Sequence, residues 1–430
     1  MNKDYANNKS FKLNNLRWTV LGVNALILLL NYGDRAAIGV AAPIIMNEFN
    51  FSKVEWGIII GAFAFGYAPF SFVGGWASDK FGVRKIMGIA ILWWSTFTAL
   101  TAVGFNVISF VIIRILFGCG EGPQAPVTAK NIRNWFPNRQ LGAALGISQA
   151  TTPLGGAVGV PLFAFLLVIF NGDWRIAFVI LGLLGVVCAI GWFAVVRDNP
   201  ADHPWITPKE LSDIKSDTKE EMVEYHGPKI TLGKCLKKPL VWIISLTFFG
   251  YSWALNTFLG WFPTYLVQVH HIDIKTLAIS ASLPWIAGAI GLALGGIITD
   301  YIGKKTGNLI GSRKWFTIVC LLGVAITFVP SAMVTSATSA VALMALAIFL
   351  LYLTGAQYWA IIAEFFPSNY LGSIGGFVNF LANLAGIAAP IVTGFVVDTT
   401  QSWVSGFLVA AGIVTIGSLI LAFYKIKVIN

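Results

Sequence analysis

Two side chains of opposite charge sit in a stretch otherwise fit for a bilayer. Residues Val107 to Thr128 (VISFVIIRILFGCGEGPQAPVT) carry Arg114 and Glu121, seven positions apart. On a helix this spacing puts both on nearly the same face, roughly 10 Å apart along the axis. Charges at bilayer depth cost about 2.5–3.5 kcal/mol each on insertion scales, so they turn to a protein interior or a wet cavity. Two readings follow: a substrate or proton pathway, or a structural ion pair or snorkelling end charge. A second charged run favours the pathway. Asn31-Tyr32-Gly33-Asp34-Arg35 ends an earlier apolar stretch. Neighbouring helical residues point about 100° apart. One of Asp34 and Arg35 is therefore expected to line the cavity while the other pairs with an adjacent helix.

The residue types suggest a division of roles. Arginine stays protonated and offers a planar fork matched to a carboxylate, so Arg35 and Arg114 are candidates for gripping an anionic substrate. Burial favours the neutral form of a carboxyl group, which can then take up and release a proton near neutral pH. Asp34 and Glu121 are the corresponding proton-carrier candidates; the alternative is that both acids permanently compensate the arginines. Further polar or aromatic residues inside apolar stretches are Tyr67, Gln149, Asn256, Tyr358, Trp359 and Asn379. Taken singly, each fits an interhelix hydrogen bond as well as a ligand contact. The four histidines fall in loops, where a solvated role is expected, and Glu364 is expected to be a solvated end charge.

The elements that must position these groups are membrane helices. The chain of 430 residues is 57% hydrophobic and only 11% charged, the composition of a polytopic membrane protein. Twelve spans are expected, near 17–38, 54–77, 86–104, 107–128, 141–170, 174–196, 239–267, 277–301, 314–335, 338–362, 371–398 and 401–425. The first is read as an uncleaved span rather than a signal peptide. With both termini on one side, 24 of the 29 Lys and Arg residues fall on that side. That asymmetry makes both termini cytoplasmic and makes the net charge of +10 a topology signal, with no nucleic acid implied. The four cysteines lie far apart and give neither a disulfide framework nor a metal pattern.

Residues 197–238 form the one long polar segment, a cytoplasmic linker between an N-terminal six-helix bundle (1–196) and a C-terminal one (239–430). A short surface helix is expected over 208–214. The halves repeat. Gly74-Gly75-Trp-Ala-Ser-Asp79-Lys-Phe-Gly82 recurs 221 positions later as Gly295-Gly296-Ile-Ile-Thr-Asp300-Tyr-Ile-Gly303. Trp135-Phe136-Pro137 with Leu141-Gly142 recurs 230 positions later as Phe365-Phe366-Pro367 with Leu371-Gly372, setting Gln149 of span 5 against Asn379 of span 11. Parallel six-span repeats with binding residues near the midplane are a transporter design. Asp79 with Arg84 and Asp300 with Lys304, at cytoplasmic helix ends, suit breakable gate latches; plain positive-inside anchoring accounts for part of that basic charge. No phosphate-binding loop of a pump occurs, no ring of charges or carbonyls marks a channel, and the spans offer no nucleophile–base pair or metal ligands for an enzyme.

These residues resemble the major facilitator superfamily over essentially the whole chain. Within it they look like the anion:cation symporters, nearest to bacterial galactonate, glucarate and hexuronate transporters and more distantly to sialin and the vesicular glutamate carriers. Gly75–Lys85 carries the superfamily resemblance. Asn31–Arg35, Gly74-Gly75-Trp76, Arg114 with Glu121, Asn134–Pro137, Gly260–Leu266 and Asn199–Pro204 carry the narrower one. The resemblance implies a major facilitator fold of two six-helix bundles in a bacterial inner membrane, taking up a small organic anion, a sugar acid or other carboxylate, with protons. The proton gradient is the driving force and no cofactor is implied. An exporter or antiporter of the same fold is the alternative. A monomer is expected, with lipid and the substrate as its partners. By position, Asp34 and Glu121 match the family's protonatable acids, while Arg35, Tyr32, Tyr67, Arg114, Gln149, Trp359 and Asn379 match its anion site. Galactonate-type relatives have small hydroxyl residues just before the span 10 tryptophan. Here the run is Ala356-Gln357-Tyr358-Trp359, and the bulk of Tyr358 points to a smaller or more aromatic carboxylate.

Overall fold

The computed structural model describes residues 15–216, 232–366 and 371–424. Residues 217–231 of the linker, Pro367 of the second repeat motif and both chain ends lie outside the described residues. Twelve helices are long and apolar enough to cross a bilayer. Spans 1 to 6 are Leu16–Phe49, Lys53–Phe81, Val83–Val103, Val107–Trp135, Arg139–Ile169 and Trp174–Val195. Spans 7 to 12 are Pro239–His270, Ile274–Thr306, Leu309–Ser331, Ala337–Phe365, Ile374–Thr400 and Trp403–Phe423. They form two six-helix bundles. Span 1 runs 11 residues past its expected end because the Pro43 turn stays helical and the apolar face continues inward through Ile45 and Met46.

Three spans break where glycine or proline removes helical support. Span 4 divides into Val107–Glu121 and Gln124–Trp135 around Gly122-Pro123, immediately after Glu121. Span 10 divides into Ala337–Leu353 and Gln357–Phe365 around Thr354-Gly355-Ala356, and span 8 breaks near Ala281-Ser282. Irregular backbone at membrane depth survives only where protein or a wet cavity surrounds it.

Small residues bring the helices close enough for polar groups to meet, as is usual without a hydrophobic drive between membrane helices. Spans 2 and 4 cross so tightly that a Cβ on Gly66 would overlap the Ile115 carbonyl, and one on Gly118 that of Phe63. This crossing carries Phe63 and Tyr67 to the face of span 4 that holds Arg114. The two bundles touch toward the end carrying the span 1–span 2 loop. There Lys53 Nζ lies 3.3 Å from Asp398 Oδ1, and the Val54 amide donates to the other oxygen at 2.9 Å. A Cβ on Gly57 would come within 2.6 Å of the Pro390 carbonyl, and one on Gly39 within 2.7 Å of that of Leu259. Contact between spans 2 and 11 continues down to Ala64 and Gly386. Farther along span 2, Gly74 packs instead on Pro123 of its own bundle. A cavity of about 430 Å³ opens there, lined by Gly75, Asp79, Lys130, Arg133, Leu141 and Leu145 among others.

The linker is fastened to the N-terminal bundle. The Pro208–Ser216 helix aims Glu210 at the start of span 1, where its carboxylate accepts from the Leu16 and Arg17 amides at 3.0 Å each. Asn15, in the capping position, makes no side-chain cap of its own, so the linker satisfies donors that the helix leaves open. Asp213 binds Arg17 at 2.6 Å and also Arg139 of span 5. Hydrogen bonds from Arg17, then Arg139, hold the Asp213 carboxyl below the usual carboxylate range. His203, expected to be solvated, is buried against the rings of Trp135 and Trp205. Its Nδ1 accepts from the Trp205 amide, so Nε2 carries the proton and donates to the Val195 carbonyl at 2.9 Å. Burial pushes its pKa down from the ordinary imidazole value.

Candidate functional site

Asp34, Arg35, Arg114 and Glu121 meet inside the N-terminal bundle. Arg35 Nε donates to Glu121 Oε2 at 2.6 Å, and the Glu121 side chain is 0% exposed. The ion pair thus joins span 1 to span 4, rather than Arg114 to Glu121 along one helix. Glu121 sits at the last helical position before the break, and Asn31 lies beside it one turn below Arg35.

Aromatic faces hold both guanidinium groups. The Arg35 Cζ lies 4.9, 4.8 and 4.7 Å from the ring centroids of Tyr32, Phe63 and Tyr67. Arg114 lies 5.2 Å from Phe63 and 4.7 Å from Phe117. Cation–π contact of this kind is worth more when desolvated, and it fixes the fork without consuming its N–H donors. Arg35 Nη2, Arg114 Nε, Glu121 Oε1 and Asp34 Oδ1 are buried with no hydrogen-bond partner. Asp34 is 3% exposed, and its other oxygen accepts a long 3.4 Å hydrogen bond from Thr98 of span 3. Two guanidinium groups and two carboxyl groups thus share one buried cluster, with donors and acceptors to spare. Phe63 and Thr98 were not singled out from the sequence; their contacts arise from helix crossings that no local pattern announces.

The remaining candidates lie apart from this cluster. Tyr358 is buried in the C-terminal bundle. Its ring stacks on Phe248 at 4.4 Å, and its hydroxyl lies 3.2 Å from that of Thr354. The bulk expected to narrow the site is thereby absorbed by span 7. Asn256 donates to the Ser252 carbonyl at 2.8 Å and lies near Gly386 of span 11. Trp359 is half exposed and packs on Gly375. Asn379 is half-buried, with its carbonyl accepting from Asn383, and Gln149 is exposed. Among the described residues, no side-chain contact joins these last three to the arginines.

The latch acids find other partners than expected. Asp79, with its side chain 73% exposed, meets Lys130 at 2.6 Å. Arg84 instead donates to the Phe193 carbonyl at 2.6 Å, and its amide donates to Asp198 at 2.8 Å. Asp300 meets Arg313 at 3.0 Å, while Lys304 is exposed. Arg313 also holds Glu364 at 3.1 Å, so this exposed end charge has a partner. Each acid bridges neighbouring helices of its own bundle, because the helix crossing and not the adjacent sequence selects the cation within reach.

The model of the Major Facilitator Superfamily matches residues 25–390. The chain belongs to the major facilitator superfamily. It is 40% identical to the hexuronate transporter of Bacillus subtilis, over 91% of this chain and 90% of that one. It is 32% identical to a probable sulfoacetate transporter of Cupriavidus necator, over 94% and 92%. A solved structure of a bacterial homologue of the human lysosomal transporter Spinster, inward-facing and unoccupied, shares the fold. Its TM-score is 0.77 at 18% identity, covering 95% of this chain and 97% of that one. The chain is a multi-pass membrane transporter of this superfamily and not an enzyme.

Proposed function

We propose that the chain imports a sugar acid, a hexuronate foremost, together with protons across a bacterial inner membrane. The observation that carries this reading is the buried Arg35–Glu121 pair, with Arg114 and Asp34 beside it. Two fixed positive charges and two carboxylates sum to zero. A substrate carboxylate entering the pocket adds one negative charge, and in a low-dielectric site that charge needs compensation. A proton on Glu121 provides it: the neutral acid releases Arg35, whose fork turns to the substrate. When the anion leaves, Glu121 loses its proton and recaptures Arg35. Asp34 is the second protonatable group of the same pocket, and Arg114 the second anchor.

The likeness to a named hexuronate transporter supports the substrate class. The basic asymmetry supports cytoplasmic termini. With that orientation, the tight contact between spans 2 and 11 closes the outer side, and the Asp79–Lys130 cavity is the inner vestibule. Residues 1–196 and 239–430 then rock about the site, with 197–238 connecting them and the pairs of Asp79 and Asp300 bracing the inner helix ends. The test is uptake of radiolabelled D-glucuronate into proteoliposomes under an imposed pH gradient. Accumulation driven by an acidic exterior supports symport. Accumulation driven by an acidic interior would make the protein an antiporter, and no binding of any sugar acid would remove the substrate class.

A further inference from the structure

The N-terminal cluster accounts for one end of a substrate, its carboxylate. The opposite wall is of different character. Span 10 carries Tyr352 just before its break, and the residue is 4% exposed. Its hydroxyl is buried without a hydrogen-bond partner. Its ring edge lies close to Gly288 of span 8 and packs edge-on against Tyr251 of span 7 at 6.3 Å. Tyr251 in turn meets Tyr358 at 5.7 Å. The Tyr251 and Tyr352 hydroxyls lie within electrostatic range of Tyr32 across the boundary between bundles, and that of Tyr352 also within range of Arg35. A buried phenol without a partner is uncommon in a core, and a ligand on Arg35 that reached across the boundary between bundles would meet it.

This wall also lacks cations. From Pro239 to Tyr424 the only Lys and Arg residues are Lys275, Lys304, Lys305, Arg313 and Lys314, all near span ends. A second carboxylate on the substrate would face the phenols of Tyr251 and Tyr352 and no guanidinium. A sugar ring would suit the same surface, with hydroxyls for the free phenol and C–H faces for the aromatic rings.

Resting on the sugar-acid reading, we infer that Tyr352 is a specificity-determining residue: its hydroxyl bonds a ring hydroxyl of a cyclic monocarboxylate, and the uncharged Tyr251–Tyr352 wall rejects a second carboxylate. Sites built to hydrogen-bond a substrate hydroxyl discriminate against analogues that lack it.

The experiment measures binding to the purified full-length protein for four probes. They are D-glucuronate, the acyclic dicarboxylate D-glucarate, the two-charge sulfoacetate, and tetrahydropyran-2-carboxylate, which keeps the ring and carboxylate without the hydroxyls. Wild type should prefer D-glucuronate to the other three. Tyr352→Phe should weaken D-glucuronate by roughly 3–10-fold, the scale of one neutral hydrogen bond, while leaving tetrahydropyran-2-carboxylate unchanged. An unaltered preference in Tyr352→Phe would overturn the role of Tyr352 and leave the sugar-acid reading intact. Tighter wild-type binding of D-glucarate or sulfoacetate would overturn the wall as a charge filter. If the variant does not purify, the wild-type comparison still decides, because equal binding of the bare ring acid and D-glucuronate excludes hydroxyl recognition. Wild type binding none of the sugar acids would remove the parent reading and this inference together.

Discussion

Replacing Glu121 by glutamine isolates the proposed exchange of partners on Arg35. The side chain keeps its size and an oxygen able to accept from Arg35 Nε at the present 2.6 Å, but it can no longer ionise. Breaking a buried pair by deleting a partner costs about 3–5 kcal/mol; keeping the acceptor should hold the stability loss well below that. The functional effect follows from the charges. One carboxylate added to a pocket with two guanidinium and two carboxyl groups calls for one proton per anion. Each pH unit of gradient is then worth about 1.4 kcal/mol, or roughly tenfold accumulation. In proteoliposomes with the membrane potential clamped and the exterior more acidic by about one unit, wild type should concentrate labelled D-glucuronate by roughly that factor. Glu121→Gln should only equilibrate it, while still exchanging internal for external substrate. Undiminished accumulation by Glu121→Gln would refute the exchange of partners.

Other perturbations test the frame around the site. Arg114→Ala and Arg35→Ala should each abolish measurable D-glucuronate binding, whereas Arg35→Lys, which cannot reproduce the planar fork over Tyr32 and Tyr67, should weaken it by at least about tenfold; titration calorimetry reads both. Asp213→Asn should lower thermal stability by about 0.2–1 kcal/mol at neutral pH, the scale of a partly exposed pair. Because Arg17 and Arg139 depress the folded-state pKa of Asp213, its contribution is present above the ordinary carboxylate value and lost as pH falls through the depressed one. The difference between wild type and variant in melting scans should therefore vanish on acidification. Asp398→Asn should loosen the contact with Lys53 and the Val54 amide, raising labelling by an impermeant reagent of a cysteine that replaces Ile391, whose side chain lies against Gly61 of span 2.

Much of the fold was legible because apolar length and charge asymmetry are written locally. The twelve spans and the repeat of Gly74–Gly82 at Gly295–Gly303 follow from composition and spacing alone. The charged cluster was legible too, since Arg35 and Glu121 have few other places to go in lipid. Its wiring was not. Spacing along span 4 offered Arg114 as the partner of Glu121, but the span 1–span 4 approach supplies Arg35. The latch acids illustrate the same limit: Asp79 finds Lys130, 51 residues away, before Arg84 nearby in sequence. His203 looked solvated in a polar segment, and only the docking of that segment on Trp135 buries it. Tyr352 gave no signal at all, because a tyrosine in an apolar span becomes informative only when its hydroxyl is found unpartnered.

The central claim is that a proton replaces Arg35 on Glu121 as the substrate carboxylate arrives. It is tested most directly by counting protons during binding to the purified protein, by calorimetry in buffers of differing ionisation enthalpy. Uptake of one proton per D-glucuronate bound by wild type, and of none by Glu121→Gln, is the predicted result. Binding that moves no proton in wild type, or the same number in both proteins, would contradict the account.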